Sequence, residues 1–91
     1  MATLVAKVVS LEGESEVELC SFKQIQQIVD GFVELGWLTY RSERYLVAVN
    51  EDGAFKLPEN PAEFHDRYGM RVRIFGSAVL MPVNFNVDTL G

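Results

Sequence analysis

Gly31 separates two hydrophobic patterns, and this junction constrains the fold more than any other feature of the sequence. Before it, apolar residues recur at helical spacing, and after it residues 32–40 alternate between two faces. Glycine accepts the left-handed conformation that commonly ends a helix. The sequence therefore predicts a helix that ends near Asp30, followed by a strand. The alternative is a helix that continues to Leu35 and stops at Gly36.

The helix has a clear start. Ser21 is a favourable N-cap, and Gln24 follows three residues later, which completes a capping box. Within the helix, Ile25 and Ile28 belong to an apolar stripe. One face of a packed helix is therefore predicted.

Two strands are predicted before this helix. Residues 3–11 are rich in branched apolar side chains, and residues 14–20 alternate between acidic and apolar positions. Gly13 lies between them in a turn, so the two strands should pair as a hairpin. The acidic face carries Glu14, Glu16 and Glu18, and the apolar face carries Val17 and Leu19.

A second hairpin is predicted after the helix. It consists of residues 32–40, a polar turn at 41–44 and an apolar strand at 45–50. Asp-Gly at 52–53 is a strong turn signal. Residues 54–57 are then expected to form a short extended piece that returns along the sheet.

A second helix is predicted from Asn60. Asn60 resembles an N-cap, Pro61 suits the first helical position, and Glu63 completes the start signal. Phe64 and Tyr68 are four residues apart and would form its apolar stripe. Gly69 would end this helix.

The C-terminal part is expected to contain one long strand over residues 71–83. The segment 74–81 has no charge, which predicts a central strand covered on both faces, and Gly76 is expected at a bulge or a close approach. Residues 84–91 are expected to be a frayed extension. The predicted class is α+β: a single mostly antiparallel sheet with two helices on one face, in the order β-β-α-β-β-(β)-α-β.

Size and charge exclude several functions. A chain of 91 residues is predicted to form one domain, and its net charge of −5 does not suit direct binding to nucleic acid. Neither a membrane-spanning segment nor a signal peptide is expected. The single cysteine, Cys20, excludes an internal disulfide and suits a cytoplasmic location. The 48% of hydrophobic residues is high for this size, so a protein partner or a homodimer is expected.

A row of four glutamates is the clearest electrostatic feature. An exposed row could bind a basic protein surface or imitate the phosphates of a nucleic acid. The alternative is a solvated strand face, paired across the sheet with Arg71 and Arg73. The residues of the row are Glu12, Glu14, Glu16 and Glu18.

Aromatic residues flank the predicted 41–44 turn. Trp37 stands before it, and Arg41 and Arg44 lie within it, a composition typical of contact surfaces. The alternative places Trp37 in the core. A separate small-ligand site between the sheet and the helices would use Asn50, Tyr68, Arg71 and Arg73. The sequence has no metal-binding, phosphate-loop or nucleophile motif, so no cofactor and no catalytic residue are predicted.

Four blocks of the sequence resemble a small domain family of unknown function that is common in bacteriophage, plasmid and other bacterial sequences. The blocks are Ile-Val-Asp-Gly-Phe-Val-Glu at 28–34, Val-Ala-Val-Asn-Glu-Asp-Gly at 47–53, Leu-Pro-Glu-Asn-Pro-Ala at 57–62 and Phe-Gly-Ser-Ala-Val-Leu at 75–80. The family's pattern is G-[FY]-[IV]-E, then V-N-E-x-G, then L-P-x-N-P, then G-x-x-[VL]-[VL]. Asp30, where the family usually has glycine, and a short path from Gly53 to Leu57 depart from it. The resemblance implies an α+β fold with a strand from Phe32, and it implies no activity.

These observations favour a non-enzymatic interaction module that works through protein–protein contact. A small-ligand-binding domain is one alternative. An acidic inhibitor of a nucleic-acid enzyme is another, and it requires the glutamate row to be exposed.

Overall fold

The computed structural model describes residues 3–90, which form one seven-stranded antiparallel sheet and two α-helices. The α+β class is confirmed. The predicted order of elements is wrong in the second half of the chain. In sequence the elements are β1 (Leu4–Ser10), β2 (Gly13–Leu19), α1 (Phe22–Val29), β3 (Val33–Tyr40), β4 (Glu43–Asn50), α2 (Gly53–Lys56), β5 (Phe64–His65), β6 (Arg71–Val72), β7 (Ala78–Pro82) and a 3₁₀ helix (Val87–Leu90). Across the sheet the strand order is β2-β1-β7-β4-β3-β5-β6.

Helix α1 has the predicted capping box and ends at Val29. The Ser21 side chain accepts a hydrogen bond from the Gln24 N–H, and the Gln24 side chain accepts one from the Ser21 N–H. The continuation of the helix to Leu35 is wrong. Asp30, not Gly31, adopts the left-handed conformation with φ of 64°, and Gly31 follows it with φ of 155°.

The second hairpin has a tighter turn than predicted. Only Arg41 and Ser42 lie between β3 and β4, since Tyr40 pairs with Glu43. Both turn residues have positive φ, 51° and 69°, as a type I′ turn requires.

Residues 54–57 are not extended. The α2 helix covers Gly53–Lys56, and the Leu57 N–H donates to the Gly53 carbonyl at 2.8 Å. The Asp-Gly turn signal therefore opens one helical turn and not a further strand.

The helix predicted from Asn60 to Gly69 is absent from the described residues. Asn60 is 1% exposed, and its amide nitrogen donates to the carbonyl oxygens of Val9 and Gly76 at 3.0 and 2.9 Å. Phe64 is fully buried in β5, where its ring stacks on Tyr40 with centroids 5.0 Å apart. Tertiary burial of two side chains thus overrides a strong local helix signal.

The single long strand predicted over 71–83 is also wrong. β6 and β7 lie in different parts of the sheet, and Gly76 between them has φ of 78°. A Cβ atom at Gly76 would lie 2.6 Å from Leu57 Cδ1, which confirms the predicted close approach. β7 lies between β1 and β4 with four buried residues in a row, as its lack of charge predicted.

The sheet separates two apolar cores, because alternate residues of β1, β4 and β7 point to opposite faces. Helix α1 and the 3₁₀ helix cover one core. That 3₁₀ helix lies in the predicted frayed extension, yet Leu90 is 2% exposed; Gly91 lies outside the described residues. The first core contains Ala6, Val8, Leu19, Ile25, Val29, Leu46, Ala48, Val79, Met81 and Leu90. The second contains Val9, Tyr40, Val47, Phe64, Ile74, Ala78 and Leu80.

Candidate interaction surface

Three members of the glutamate row, Glu14, Glu16 and Glu18, lie on β2, an edge strand of the sheet, and Glu12 lies in the turn before it. Glu14 binds two cations: its Oε1 is 3.3 Å from Lys7 Nζ, and its Oε2 is 2.6 Å from Arg41 Nη1. Pairing of the row with Arg71 and Arg73 is wrong, because β6 lies at the far end of the sheet. The remaining members of the row are exposed, and within residues 3–90 they make no ion pair: Glu12, Glu16 and Glu18.

Glu14 connects the two hairpins through these contacts. Lys7 lies on β1, and its Nζ is 6.0 Å from the ring centroid of Tyr40 and 5.8 Å from that of Tyr45. The Glu14 carboxylate raises the pKa of Lys7 by accepting its hydrogen bond, and burial raises the pKa of the Tyr40 hydroxyl. The cluster therefore holds the Lys7 ammonium and the Tyr40 hydroxyl in their protonated forms beside the Glu14 carboxylate.

A cleft of about 640 Å³ lies beside the β3–β4 turn. Arg41 and Arg44 line it together with His65 and Arg67, while Glu63 and Asp66 add negative charge. Two of these charged side chains already have partners within the protein. Arg41 binds Glu14, and the Asp66 carboxylate accepts hydrogen bonds from the N–H groups of Tyr68 and Met70. This open cleft, which is lined by positive and negative side chains, resembles a protein contact surface.

Trp37 is not a core residue. It is 57% exposed, and its Nε1–H donates to the carbonyl oxygen of Val83 at 3.1 Å. This bond holds the indole against the sheet while most of the ring faces solvent. Leu35, two residues earlier on the same face of β3, is 40% exposed.

β3 has an open edge. On one side it pairs with β4 along its whole length, but on the other side β5 meets it only at Thr39 and Tyr40. Within residues 3–90, no strand pairs with residues 33–38 on that side, and no other hydrogen bond reaches their backbone from there. Such a row of unpaired backbone groups is a template for another strand.

The hairpin geometry identifies which backbone groups point outward. The residues that close a two-residue turn form a hydrogen-bonded pair, and such pairs recur at every second residue. Tyr40 is therefore bonded to β4, and so are the other even-numbered residues. The Glu51 N–H bond to the Phe32 carbonyl, 2.8 Å, continues this pattern. Val33, Leu35 and Trp37 consequently present their N–H and C=O groups to solvent.

A shallow groove of about 210 Å³ runs along this edge on the opposite face of the sheet. Gly36 and Leu38 form one wall, and Val72, Arg73 and Ile74 form the other. Nothing lies within 4 Å of the position that a Cβ atom would occupy at Gly36. The open edge thus has room for side chains on both faces.

The proposed ligand residues are not assembled. Asn50 is buried, and its amide nitrogen donates to the carbonyls of Val29 and Asp30 at the end of α1. Tyr68 is exposed in the turn before β6, Arg71 lies in β6, and Arg73 binds Glu59 at 2.7 Å, which lowers the pKa of that glutamate. Neither cleft described above contains more than one of the four.

The open β3 edge is the feature that the sequence analysis missed. It depends on β6 and β7 being separate strands, whereas a single long strand was predicted. The sequence contains one indication of this edge. Leu35 and Trp37 are large apolar residues on one face of β3, whereas the neighbouring positions on its other face are Glu34 and Gly36.

Within residues 3–90, no helix is both long and apolar enough to cross a membrane, and no group of three or more His, Cys, Asp or Glu residues could hold a metal ion. The chain matches no family model, no curated protein and no solved structure. The family resemblance based on the four sequence blocks stays a prediction.

Proposed function

We propose that this protein is a small, non-enzymatic interaction module that binds an extended protein strand along the open edge of β3. The observation that carries the proposal is the juxtaposition of outward backbone groups with exposed Leu35 and Trp37 side chains on one short segment. Strand addition of this kind takes its affinity from main-chain hydrogen bonds and its specificity from alternate side chains.

The contrast between the β2 edge and the open edge of β3 supports this assignment. Proteins blunt exposed edges with charged side chains. The β2 edge carries Glu14, Glu16 and Glu18 at alternate positions, whereas residues 33–37 of β3 carry Glu34 as their single charge. The glutamate row thus serves to keep other strands from the β2 edge, and the β3 edge is left to accept one.

The chemistry of the edge defines the partner. The strand of the partner would place apolar side chains beside Leu35 and Trp37, and a small or basic side chain beside Glu34. Each backbone hydrogen bond contributes on the order of 1 kcal/mol net, so a few such bonds with apolar contact give a reversible complex. The half-buried Cys20 thiol fits a cytoplasmic site of action.

Selection of short random peptides displayed on phage would test this function. We expect the selected peptides to alternate apolar residues and to bind much more weakly to a Leu35→Lys variant. A Glu16→Lys variant on the β2 edge is the matched control, and it should bind them as the unmodified protein does. Peptides that bind the Leu35→Lys variant undiminished would show that the β3 edge is not the binding site.

A further inference from the structure

We infer that the strand bound at the open edge is β3 of a second copy of this chain, paired antiparallel about a two-fold axis at Leu35. This inference rests on the function proposed above and identifies its partner. Leu35 of one copy would face Leu35 of the other, and Val33 would face Trp37. A continuous sheet would then pass from one copy into the other.

The open length of the edge selects this register. Three residues point their backbone groups outward: Val33, Leu35 and Trp37. Centring the axis on Leu35 pairs each of them with another outward residue, which gives about six hydrogen bonds from three pairs that exchange two each. No other centre pairs all three within the open segment.

Neighbouring registers are opposed by specific contacts. An axis at Trp37 would bring Leu35 of the second copy opposite Thr39, a position that His65 of β5 already occupies. An axis at Val33 would use Gly31 and Val29 of the second copy, which lie at the turn and the end of α1. An axis at Glu34 would place two carboxylates directly opposite each other, which destabilises a strand pair.

An axis at Gly36 uses fewer of the outward groups. It pairs Leu35 with Trp37 twice but leaves Val33 opposite Thr39, where β5 again blocks the edge. Of the axes at Leu35, Gly36 and Trp37, only the Leu35 axis stays clear of β5 along the whole of residues 33–37.

The side chains agree with the Leu35 register on both faces. On one face, the exposed Leu35 side chains meet each other, and Val33 of the other copy lies opposite Trp37, whose indole is held towards Val83. On the other face, Glu34 lies opposite Gly36, which has no side chain and has open space above it. Arg73 lines the same groove and is 66% exposed at its side chain, so the Glu34 carboxylate of the second copy would enter beside a cation.

The charge of −5 on each copy does not oppose this pairing strongly. The member of the glutamate row that reaches the β3–β4 turn, Glu14, is already paired with Lys7 and Arg41. Exposed charges that lie more than about 8 Å apart are largely screened at physiological ionic strength.

Single cysteines provide the test of register, with Cys20→Ser introduced in every protein to remove the native thiol. Residues directly opposite in a hydrogen-bonded antiparallel pair have Cα atoms about 5.5 Å apart, which a disulfide can bridge. Leu35→Cys should therefore form a covalent dimer on mild oxidation. Val33→Cys and Trp37→Cys should cross-link only when mixed, because equivalent positions are about 13 Å apart.

Glu16→Cys, on the β2 edge, is the matched control and should form no covalent dimer under the same oxidation. Trp37→Lys without added cysteines should dimerise at least about tenfold more weakly by analytical ultracentrifugation, with its circular dichroism spectrum retained. Cross-linking of Trp37→Cys by itself, or a Leu35→Cys sample no more cross-linked than the control, would overturn the inference.

The phage-selected peptides separate the two possible failures. If Leu35→Cys does not cross-link but those peptides still require Leu35, the edge binds a foreign strand and only self-pairing is wrong. If the peptides bind regardless of Leu35 as well, the proposed function itself fails.

Discussion

The Asn60 side chain donates a hydrogen bond to the carbonyl oxygen of Val9, 51 residues earlier in the chain, at 3.0 Å. The same amide donates to the Gly76 carbonyl, and its Oδ1 accepts from the Ala62 N–H. One buried residue therefore connects β1, the strand-free segment before β5 and the turn before β7. Asn50 does the same for the end of α1, where it binds two carbonyls.

Replacing Asn60 should destabilise the protein strongly. Asn60→Ala leaves two carbonyls without their donor in a buried site, and each unsatisfied buried group costs about 1–3 kcal/mol. We expect a loss of roughly 3 kcal/mol in the free energy of unfolding, measured by urea denaturation. Asn84→Ala, at an exposed position, is the control and should change stability little. A loss for Asn60→Ala no larger than that of the control would contradict the role given to Asn60.

The β3–β4 turn should be improved by glycine. Ser42 has φ of 69°, and the left-handed conformation costs a residue with a Cβ about 1–2 kcal/mol. Glycine removes that cost but loses more chain entropy on folding, so Ser42→Gly should stabilise by about 0.5–1 kcal/mol. Ser15→Gly, in the middle of β2, should have the opposite sign, since glycine weakens a strand. Thermal unfolding of the two variants would measure both changes in stability. If both substitutions changed stability in the same direction, the turn geometry would be refuted.

Two glycines with positive φ allow backbone strain to be separated from crowding. Gly69, φ 81°, has nothing within 4 Å of a Cβ position, whereas at Gly76 that position is 2.6 Å from Leu57 Cδ1. Gly69→Ala should cost about 1–2 kcal/mol from strain. Gly76→Ala should cost about 1 kcal/mol more, because Leu57 must shift.

The extra cost at Gly76 can be assigned by a double-mutant cycle. With Leu57→Ala as the background, Gly76→Ala should cost no more than Gly69→Ala does, as measured by chemical denaturation. An undiminished cost in that background would place the crowding elsewhere.

Alkaline pH should destabilise the protein. The Glu14 carboxylate holds the pKa of Lys7 above its ordinary 10.5, and burial holds that of Tyr40 above 10.0. Above pH 10 the unfolded chain therefore releases protons that the folded protein retains, so the free energy of unfolding falls as pH rises. The contribution of these two groups to stability is fully present below pH 10. Urea denaturation across this range would show the decline.

Tyr40→Phe should flatten part of that decline because it removes one of the two ionising groups. Tyr68→Phe removes a tyrosine from an exposed turn and serves as the matched control. If the two variants had the same pH dependence, the Lys7–Glu14–Tyr40 cluster would not be its source.

Local signals predicted the first half of the fold well. The capping box of Ser21 and Gln24 forms as expected, and the helix ends within one residue of the predicted position. The same kind of signal failed at Asn60 and Pro61, where an equally good helix start is not used. The difference lies in burial: Phe64 is more stable stacked on Tyr40 than on a short, marginal helix.

For the candidate site, the sequence identified the residues but not their arrangement. It singled out Glu14, Arg41 and Trp37, yet it paired Glu14 with Arg71 and Arg73 instead of Lys7 and Arg41. Which charges meet depends on strand order, and strand order depends on contacts between residues far apart in the chain. The open edge of β3 follows from that order and could not be seen in the local pattern.

The sequence by itself determined the local elements up to residue 50, the α+β class and the acidic face of β2. These follow from periodicity, caps and turn residues, all of which act over a few residues. Only the tertiary structure decided that Asn60 is a buried connector, that Trp37 is exposed and that β3 has an unpaired edge. The physical reason is that burial and strand pairing are properties of the whole packed sheet, and no short segment contains them.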